Sequence, residues 1–160
     1  MTATVQSLRN SPTRQRFRRG GAAMLECAIA LPIMLLALFA LLDLGLAATR
    51  YNALAEAARQ IARQAILHGS LAPVEVGSWG PAQFVGNAAD GSNIVQTVHG
   101  RLPTMPENLV NIQVTWPDND NSPRDRVQVQ VTYQHHPLVP GLTSWGMINL
   151  QSVATMRIVN

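Results

Sequence analysis

The strongest pattern in the sequence is a run of apolar residues near the N-terminus. From Cys27 to Thr49 it reads CAIALPIMLLALFALLDLGLAAT, with Asp43 as its one charged residue. As a helix, these 23 residues rise roughly 34 Å, enough to cross the hydrocarbon core of a membrane. The run is too long for an ordinary secretory signal peptide, and no other segment is large enough to surround it in a soluble core. It therefore predicts a single transmembrane helix.

The helical pattern continues beyond the apolar run. In RYNALAEAARQIARQAILH, residues 50–68, apolar side chains recur three and four positions apart at Tyr51, Leu54, Ala58, Ile61 and Ala65, and Ala55, Ala62 and Ile66 widen this stripe. Polar residues occupy the other face, where Glu56 and Arg59 can pair at i,i+3. Gly69 is the predicted C-cap. These features predict one helix over residues 22–68, half in lipid and half covered by a domain.

Alternation of apolar and polar residues predicts strands in the C-terminal part of the chain. LVNIQVTW (109–116) and VQVQVTY (127–133) alternate strictly, and a further strand is predicted over Leu150–Val159. The turn-rich PDNDNSPRDR between the first two predicts an antiparallel hairpin. Strict alternation implies one buried face, which the amphipathic half of the helix can cover. The predicted fold class is α+β.

The segment between the helix and these strands has weaker signals. Residues 69–81 are rich in Gly and Pro and predict a loop. Ala82–Arg101 has helical character broken at Asp90-Gly91, and Ser92 is the predicted N-cap of a short helix through Val98.

Charge divides the chain into an anchor and an exported part. Residues 1–21 carry five Arg and no acid, whereas the remainder carries seven Arg and nine acids, a net of −2. The pI near 10.0 therefore describes the leader, and we expect no nucleic-acid partner. Because basic flanks stay on the cytoplasmic side, we expect a cytoplasmic leader (1–21), the helix (22–68) and an exported α+β domain (69–160). The expected location is the inner (cytoplasmic) membrane.

Candidate chemical sites are few. Cys27 is the single cysteine, so no intramolecular disulfide is possible, and we expect it to be a small buried apolar residue. The run Asp118–Asn121 begins like a calcium loop, but position six is Pro123 and position twelve is Val129, which favours a solvated hairpin tip.

Two adjacent histidines also lack the pattern of a metal site. His135 and His136 should face opposite sides of a strand, which disfavours a shared metal ion. The sequence has no nucleophile elbow, phosphate-binding loop or recognisable carboxylate pair, so we expect neither enzyme activity nor a cofactor.

Two residues within the apolar run are unusual there. Asp43 is compatible with a helix–helix contact in a complex and equally with plain placement at the membrane interface. Pro32 removes one i to i−4 hydrogen bond and can kink the helix.

The N-terminal residues resemble the processing region of type IV prepilins. RRGGAAMLECAIALP, residues 18–32, combines a basic leader, Gly21, a +1 residue Ala22 and Glu26 at +5 before an apolar helix. The chain more specifically resembles TadE-like pseudopilins of tight-adherence (Flp-type) pilus systems. Shared features are Glu26, Pro32, Asp43, the Tyr-Asn-x-Leu segment from Tyr51 to Arg63, the V-x-V-x-V-x-Y strand, the Pro137–Leu142 turn and Ala154–Arg157. Members often carry an acid after that Arg, whereas this chain ends Ile-Val-Asn.

The resemblance implies a pilin-like fold and a role as minor pilin or pseudopilin. It implies cleavage after Gly21 by a prepilin peptidase, and pairing of Glu26 with the new amine of Ala22 on a neighbouring subunit. Implied partners are that peptidase, other pilins or pseudopilins, inner-membrane platform proteins and membrane lipid. An alternative is an unprocessed, signal-anchored exported domain that binds a ligand or partner. A membrane-tethered hydrolase has no supporting residues.

Overall fold

A long helix and four antiparallel strands make up the fold. The computed structural model describes residues 16–138 and 146–160, with side chains from Gly21 onward, so most of the leader and most of the Pro137–Leu142 turn lie outside the described residues. Helix α1 spans Arg16–Ala65 and contains Pro32 without a break. The α+β prediction, a long N-terminal helix with a small antiparallel sheet, is confirmed.

The sheet has the strand order β1-β2-β3-β4, with every neighbouring pair antiparallel. The strands are β1 (Phe84–Asn87), β2 (Val110–Thr115), β3 (Arg126–His135) and β4 (Ile148–Arg157). The hairpin of β2 and β3 pairs Val110 with Tyr133 and Thr115 with Gln128. The three strands predicted from alternation are therefore present, each within a few residues of its predicted bounds.

The core lies between one stripe of α1 and the inner face of the sheet. Its helix residues are Leu54, Ala57, Ala58, Ile61, Ala62 and Ala65. On the sheet, the alternating residues of β2 and β3 are buried, as the pattern predicted. Full burial of a side chain the size of Leu54 or Ile61 stabilises the fold by about 1.5–3 kcal/mol relative to leaving it exposed. Glu56 and Arg59 on the opposite face pair at 3.8 Å.

Three local predictions differ from the structure. Residues 84–87 form strand β1 where helical character was predicted. The short helix near Val98 is a single 3₁₀ turn, Gln96–Val98, and the buried Ser92 hydroxyl forms no hydrogen bond among the described residues instead of capping it. Gly69 does not adopt the left-handed conformation of a C-cap. A Cβ there would lie 1.7 Å from the Asn160 carbonyl oxygen, so glycine is required by close packing of the backbone.

The Asn121 side chain joins the far end of α1 to the hairpin tip. It is buried, accepts a hydrogen bond from Trp116 Nε1 at 3.1 Å, and donates to the backbone carbonyls of His68, at 3.1 Å, and Trp79. Because a buried amide that lost these partners would be unfavourable, Asn121 fixes the position of the hairpin tip.

Candidate functional site

The predicted processing residues lie near the start of the described part of α1. Gly21, Ala22 and Glu26 are all exposed. Ala22 and Glu26 are four positions apart, so they lie on one face of the helix, about 6 Å apart along its axis. A Cβ added to Gly21 would meet no atom within 4 Å outside the neighbouring helix backbone. Packing within the chain therefore does not require glycine at this position.

The apolar part of α1 has the properties of a membrane span. The helix Gly21–Ala65 has an 18-residue window with a mean hydropathy of 2.5, and none of that window is buried. Cys27 is exposed in this stretch, so the prediction that it is a buried residue is wrong: every residue from Gly21 to Leu42 is exposed. Thr49 donates its hydroxyl hydrogen to the Gly45 carbonyl at 2.9 Å, which satisfies that polar group within the helix.

Asp43, the acid within the apolar run, binds the C-terminal α+β part of its own chain. Its Oδ1 lies 3.2 Å from His135 Nε2 and accepts a hydrogen bond from the backbone N–H of Leu138 at 3.0 Å. Its side chain is only 13% exposed. The sequence left open a contact with another subunit or plain interfacial placement; the structure instead gives this carboxylate partners within the chain.

His135 connects Asp43 to a second charged residue of α1. The imidazole is completely buried, and its Nδ1 lies 2.7 Å from Nη1 of Arg50. A guanidinium group can only donate hydrogen bonds, so Nδ1 must accept and the ring proton must be on Nε2, where it is donated to Asp43. We call this chain of three side chains, Asp43–His135–Arg50, the Asp43 link.

Arg50 is held by a loop of the domain as well. Its Nη2 donates to the Thr104 carbonyl at 2.9 Å, and its Nε donates to the Thr104 hydroxyl at 3.3 Å. The guanidinium carbon lies 5.4 Å from the centroid of the Tyr133 ring, a cation–π distance. Thr104 has φ of +62°, a left-handed conformation that is unusual for a β-branched residue. The two hydrogen bonds from Arg50 stabilise it.

The Asp43 link suits attachment better than catalysis. A carboxylate and an imidazole that share a hydrogen bond can act in general acid–base catalysis, but a general base must reach its substrate. His135 is completely buried, so a substrate has no access to it. The arrangement therefore joins one end of the sheet to the helix, where each charged or polar group satisfies its neighbour.

The helix that carries these residues matches a known family. Residues 21–63 match the family model described as TadE-like protein. This part of the chain is similar to TadE-like proteins. The resemblance inferred from the sequence is thus confirmed over those residues. No curated protein and no solved structure matches the chain.

The TadE-like segment contains Gly21, Glu26, Asp43 and Arg50, whereas His135 lies outside it. Sequence reasoning missed the link between them, although the signal was present. The buried stripe of α1, extended towards the N-terminus from Leu54 in steps of four and three, passes through Arg50, Ala47 and Asp43. The alternation of β3 likewise continues inward from Tyr133 to His135. Tyr51, which we had assigned to the buried stripe, is 48% exposed because it lies beside this line.

The acids of the hairpin tip are engaged separately rather than around a common centre. Asp118 pairs with Arg126 at 2.6 Å, and Asp120 accepts hydrogen bonds from Ser122 and from the backbone of Asn121. The hydrogen bond from the Arg126 side chain lowers the pKa of Asp118 from its ordinary value of 3.8 to about 2. The tip thus forms a solvent-exposed ion pair beside a buried amide.

The two adjacent histidines face opposite sides of the sheet, as predicted. His135 is buried and His136 is exposed. The part of the chain that the structure describes contains no group of three or more His, Cys, Asp or Glu residues placed to hold a metal ion.

Proposed function

We propose that this chain is a minor pilin or pseudopilin, a structural or assembly component of a Tad-type pilus in the bacterial envelope. The observation that carries the proposal is the TadE-like match over residues 21–63, which starts at the glycine of the predicted processing motif. The amphipathic half of α1, buried against a small sheet, is consistent with this role. The proposed role is structural and not enzymatic, and it requires no cofactor.

The first step in the proposal is cleavage after Gly21 by a prepilin peptidase. A protease needs its substrate extended, so the helix must unwind locally at the cut. Gly20 and Gly21 are adjacent within α1, and each costs a helix about 1 kcal/mol relative to alanine. The pair is therefore a weak point of the helix, and Gly21 places no side chain in the way of an enclosed active site.

The second step is assembly through Glu26. Cleavage leaves a free amine at Ala22, close to the edge of the apolar segment. A carboxylate without a partner is unfavourable in a helix bundle next to lipid, by about 2.5–3.5 kcal/mol at the middle of a membrane span and by less near its edge. Pairing of Glu26 with the Ala22 amine of a neighbouring subunit removes that cost for both groups.

The proposed location is the inner membrane, with the leader cytoplasmic and residues 50–160 in the periplasm or outside the cell. The proposed partners are the prepilin peptidase, other pilins or pseudopilins, inner-membrane platform proteins and lipid. A reporter that is active only in the cytoplasm, fused after Asn160, is expected to be silent. Strong activity of that reporter would reverse the topology.

The decisive experiment on processing replaces Gly21 by leucine in cells that contain the cognate peptidase. We expect the wild-type protein to begin at Ala22 and the Gly21→Leu variant to keep its leader, as read by mass spectrometry of membrane extracts. Gly45→Leu is the matched control, because Gly45 is also an exposed helical glycine whose added Cβ would meet no atom of the described residues within 4 Å, apart from the neighbouring helix backbone. It should be processed normally.

An intact leader on the wild-type protein in piliated cells would contradict processing. It would instead favour the alternative, an unprocessed signal-anchored domain that binds a ligand or partner.

The assembly step is tested separately with Glu26→Gln. The amide keeps the shape of the side chain and loses its charge, so we expect normal cleavage with loss of pili counted by electron microscopy. Glu56→Gln is the control, since Glu56 is an exposed acid on the domain half of the same helix. Normal piliation by the Glu26 variant would exclude the pairing role.

A further inference from the structure

The Asp43 link shows which end of the sheet lies beside the apolar part of α1. Strand β3 runs from Arg126 to His135, and only its last residue reaches Asp43. His135 pairs with Ile148 across the sheet, so β4 begins at this same end. The loop residues that flank these two strands, Leu138 and Met147, therefore lie at the end of the domain nearest the apolar segment.

The position of Asp43 along α1 gives the depth in the membrane of the end of the sheet that carries Leu138 and Met147. This step rests on the proposed transmembrane anchor. Helix residues after Glu26 cross roughly 30 Å of hydrocarbon in about 20 residues, so the outer boundary falls near Ala47. Asp43 is four residues before Ala47, which is about 6 Å on the lipid side of that boundary. The N–H of Leu138 binds Asp43 directly, which brings Leu138 to a similar depth.

The side chains at this end are suited to that depth. Leu138 is 54% exposed and Met147 is 61% exposed, although both are large and apolar. In the sequence, no acidic or basic residue occurs between His136 and Arg157. The charged residues of β3, β4 and the hairpin tip lie at the opposite end, where Asp118, Arg126 and Arg157 are found. The flanks of β3 and β4 are thus apolar at the end beside Asp43 and charged at the opposite end; Glu107, which precedes β2 at the first end, is paired with His99.

We propose that Leu138 and Met147 insert into the outer acyl–headgroup boundary of the membrane that α1 crosses. The partner of this surface is lipid. Apolar side chains gain from transfer into this boundary region, and aliphatic insertion of about 5–10 Å is typical of proteins that lie on a membrane. The Asp43 link satisfies the Asp43 carboxylate, the His135 ring and the Leu138 N–H at this depth. The exported domain consequently contacts the bilayer surface in one fixed orientation.

The test measures depth directly with the full chain in vesicles of phosphatidylcholine and phosphatidylglycerol. In a Cys27→Ser background, single cysteines at Leu138 and Met147 carry an environment-sensitive fluorophore. Val74→Cys is the aqueous control, because Val74 is 97% exposed in the loop after the helix. Leu38→Cys, in the middle of the apolar run, is the control for the anchor itself.

We expect the labels at Leu138 and Met147 to emit at shorter wavelength than the label at Val74. Lipids with a nitroxide at a shallow acyl position should remove most of their emission, while aqueous iodide should have little effect. Iodide quenching as strong as at Val74 would overturn the proposal. Protection from both quenchers would also overturn it, because the surface would then be covered by a second copy of the chain.

The Leu38 control separates this proposal from the function on which it rests. Quenching of the Leu38 label by lipid nitroxides, without quenching of the Leu138 and Met147 labels, would support the transmembrane anchor. It would contradict the insertion of Leu138 and Met147 into the membrane. If the Leu38 label is also accessible to iodide, the transmembrane anchor itself fails.

Discussion

Between Gly21 and Leu42 every side chain of α1 is exposed, whereas between Leu54 and Ala65 six side chains are buried. Both stretches are rich in apolar residues. They differ in size and spacing: the first is filled with Leu, Ile, Met and Phe on all sides, and the second places Ala at most buried positions with charged residues between them. Small side chains let the helix approach the sheet closely, and bulky ones suit a fluid environment of lipid.

Hydrophobicity and burial within the protein therefore do not coincide along α1. The more hydrophobic half of the helix is the one whose residues are exposed in the described part of the chain. The less hydrophobic half carries the core, because its apolar residues fall on one stripe. Asp43 and Arg50 lie between the halves, on the same stripe, and bind the domain through hydrogen bonds.

The largest expected difference between the halves comes from one isoleucine in each. Ile61→Ala should lower the free energy of unfolding by about 2–5 kcal/mol, because Ile61 is completely buried and its truncation leaves a cavity. Ile33→Ala is the matched control, since Ile33 is 62% exposed. Urea unfolding of the full chain in detergent, followed by tryptophan fluorescence, measures both. Equal losses of unfolding free energy in the two variants would mean that the two halves of α1 do not differ in burial.

A smaller effect is expected at the junction of the halves. Asp43→Leu leaves the His135 Nε2–H and the Leu138 N–H without an acceptor, at a cost of about 1–3 kcal/mol. Asp43→Asn retains an acceptor oxygen and should lose less. Hydrogen exchange at Leu138 should be faster in the leucine variant than in the asparagine variant. Unchanged exchange in both would show that the Asp43 link does not hold this end of the sheet.

The smallest effect is expected at the solvent-exposed ion pair of Asp118 and Arg126 beside the hairpin tip. Because the pKa of Asp118 is lowered to about 2, the folded state favours its ionised form. Its contribution to stability is complete above the ordinary value of 3.8 and is lost as the pH falls from there towards 2. Asp118→Asn should remove this part of the acid sensitivity, and Asp120→Asn should not. A carboxyl titration by NMR that placed Asp118 near 3.8 would contradict the pairing with Arg126.

The regular parts of the fold were predictable because their patterns repeat. Strands β2 and β3 alternate over several residues with β-branched side chains, and the helix combines an apolar run with a stripe. Strand β1 was not predictable in this way. Its four residues, Phe84–Asn87, contain a glycine and no strict alternation, and they become a strand because β2 offers an unpaired edge.

The polar contacts were harder to predict because they join residues far apart in sequence. Asp43 and His135 are separated by 92 positions, and Asn121 reaches His68 across 53. Local propensity carries no information on such pairs. Periodicity does carry some information on them, since it places Asp43, Arg50 and His135 on inward-facing positions. A charged group that faces inward must find a partner. The processing residues depend on sequence spacing alone.

The sheet topology also sets an order of events during synthesis. The buried stripe of α1 is made first, but the strands that cover it, β2, β3 and the residue Ile158 after β4, are made last. Translation of residues 66–160 takes on the order of ten seconds at ~5–20 residues per second. Until β2 and β3 are made, Leu54 and Ile61 lack most of their native partners, and the apolar stripe is exposed and prone to aggregation.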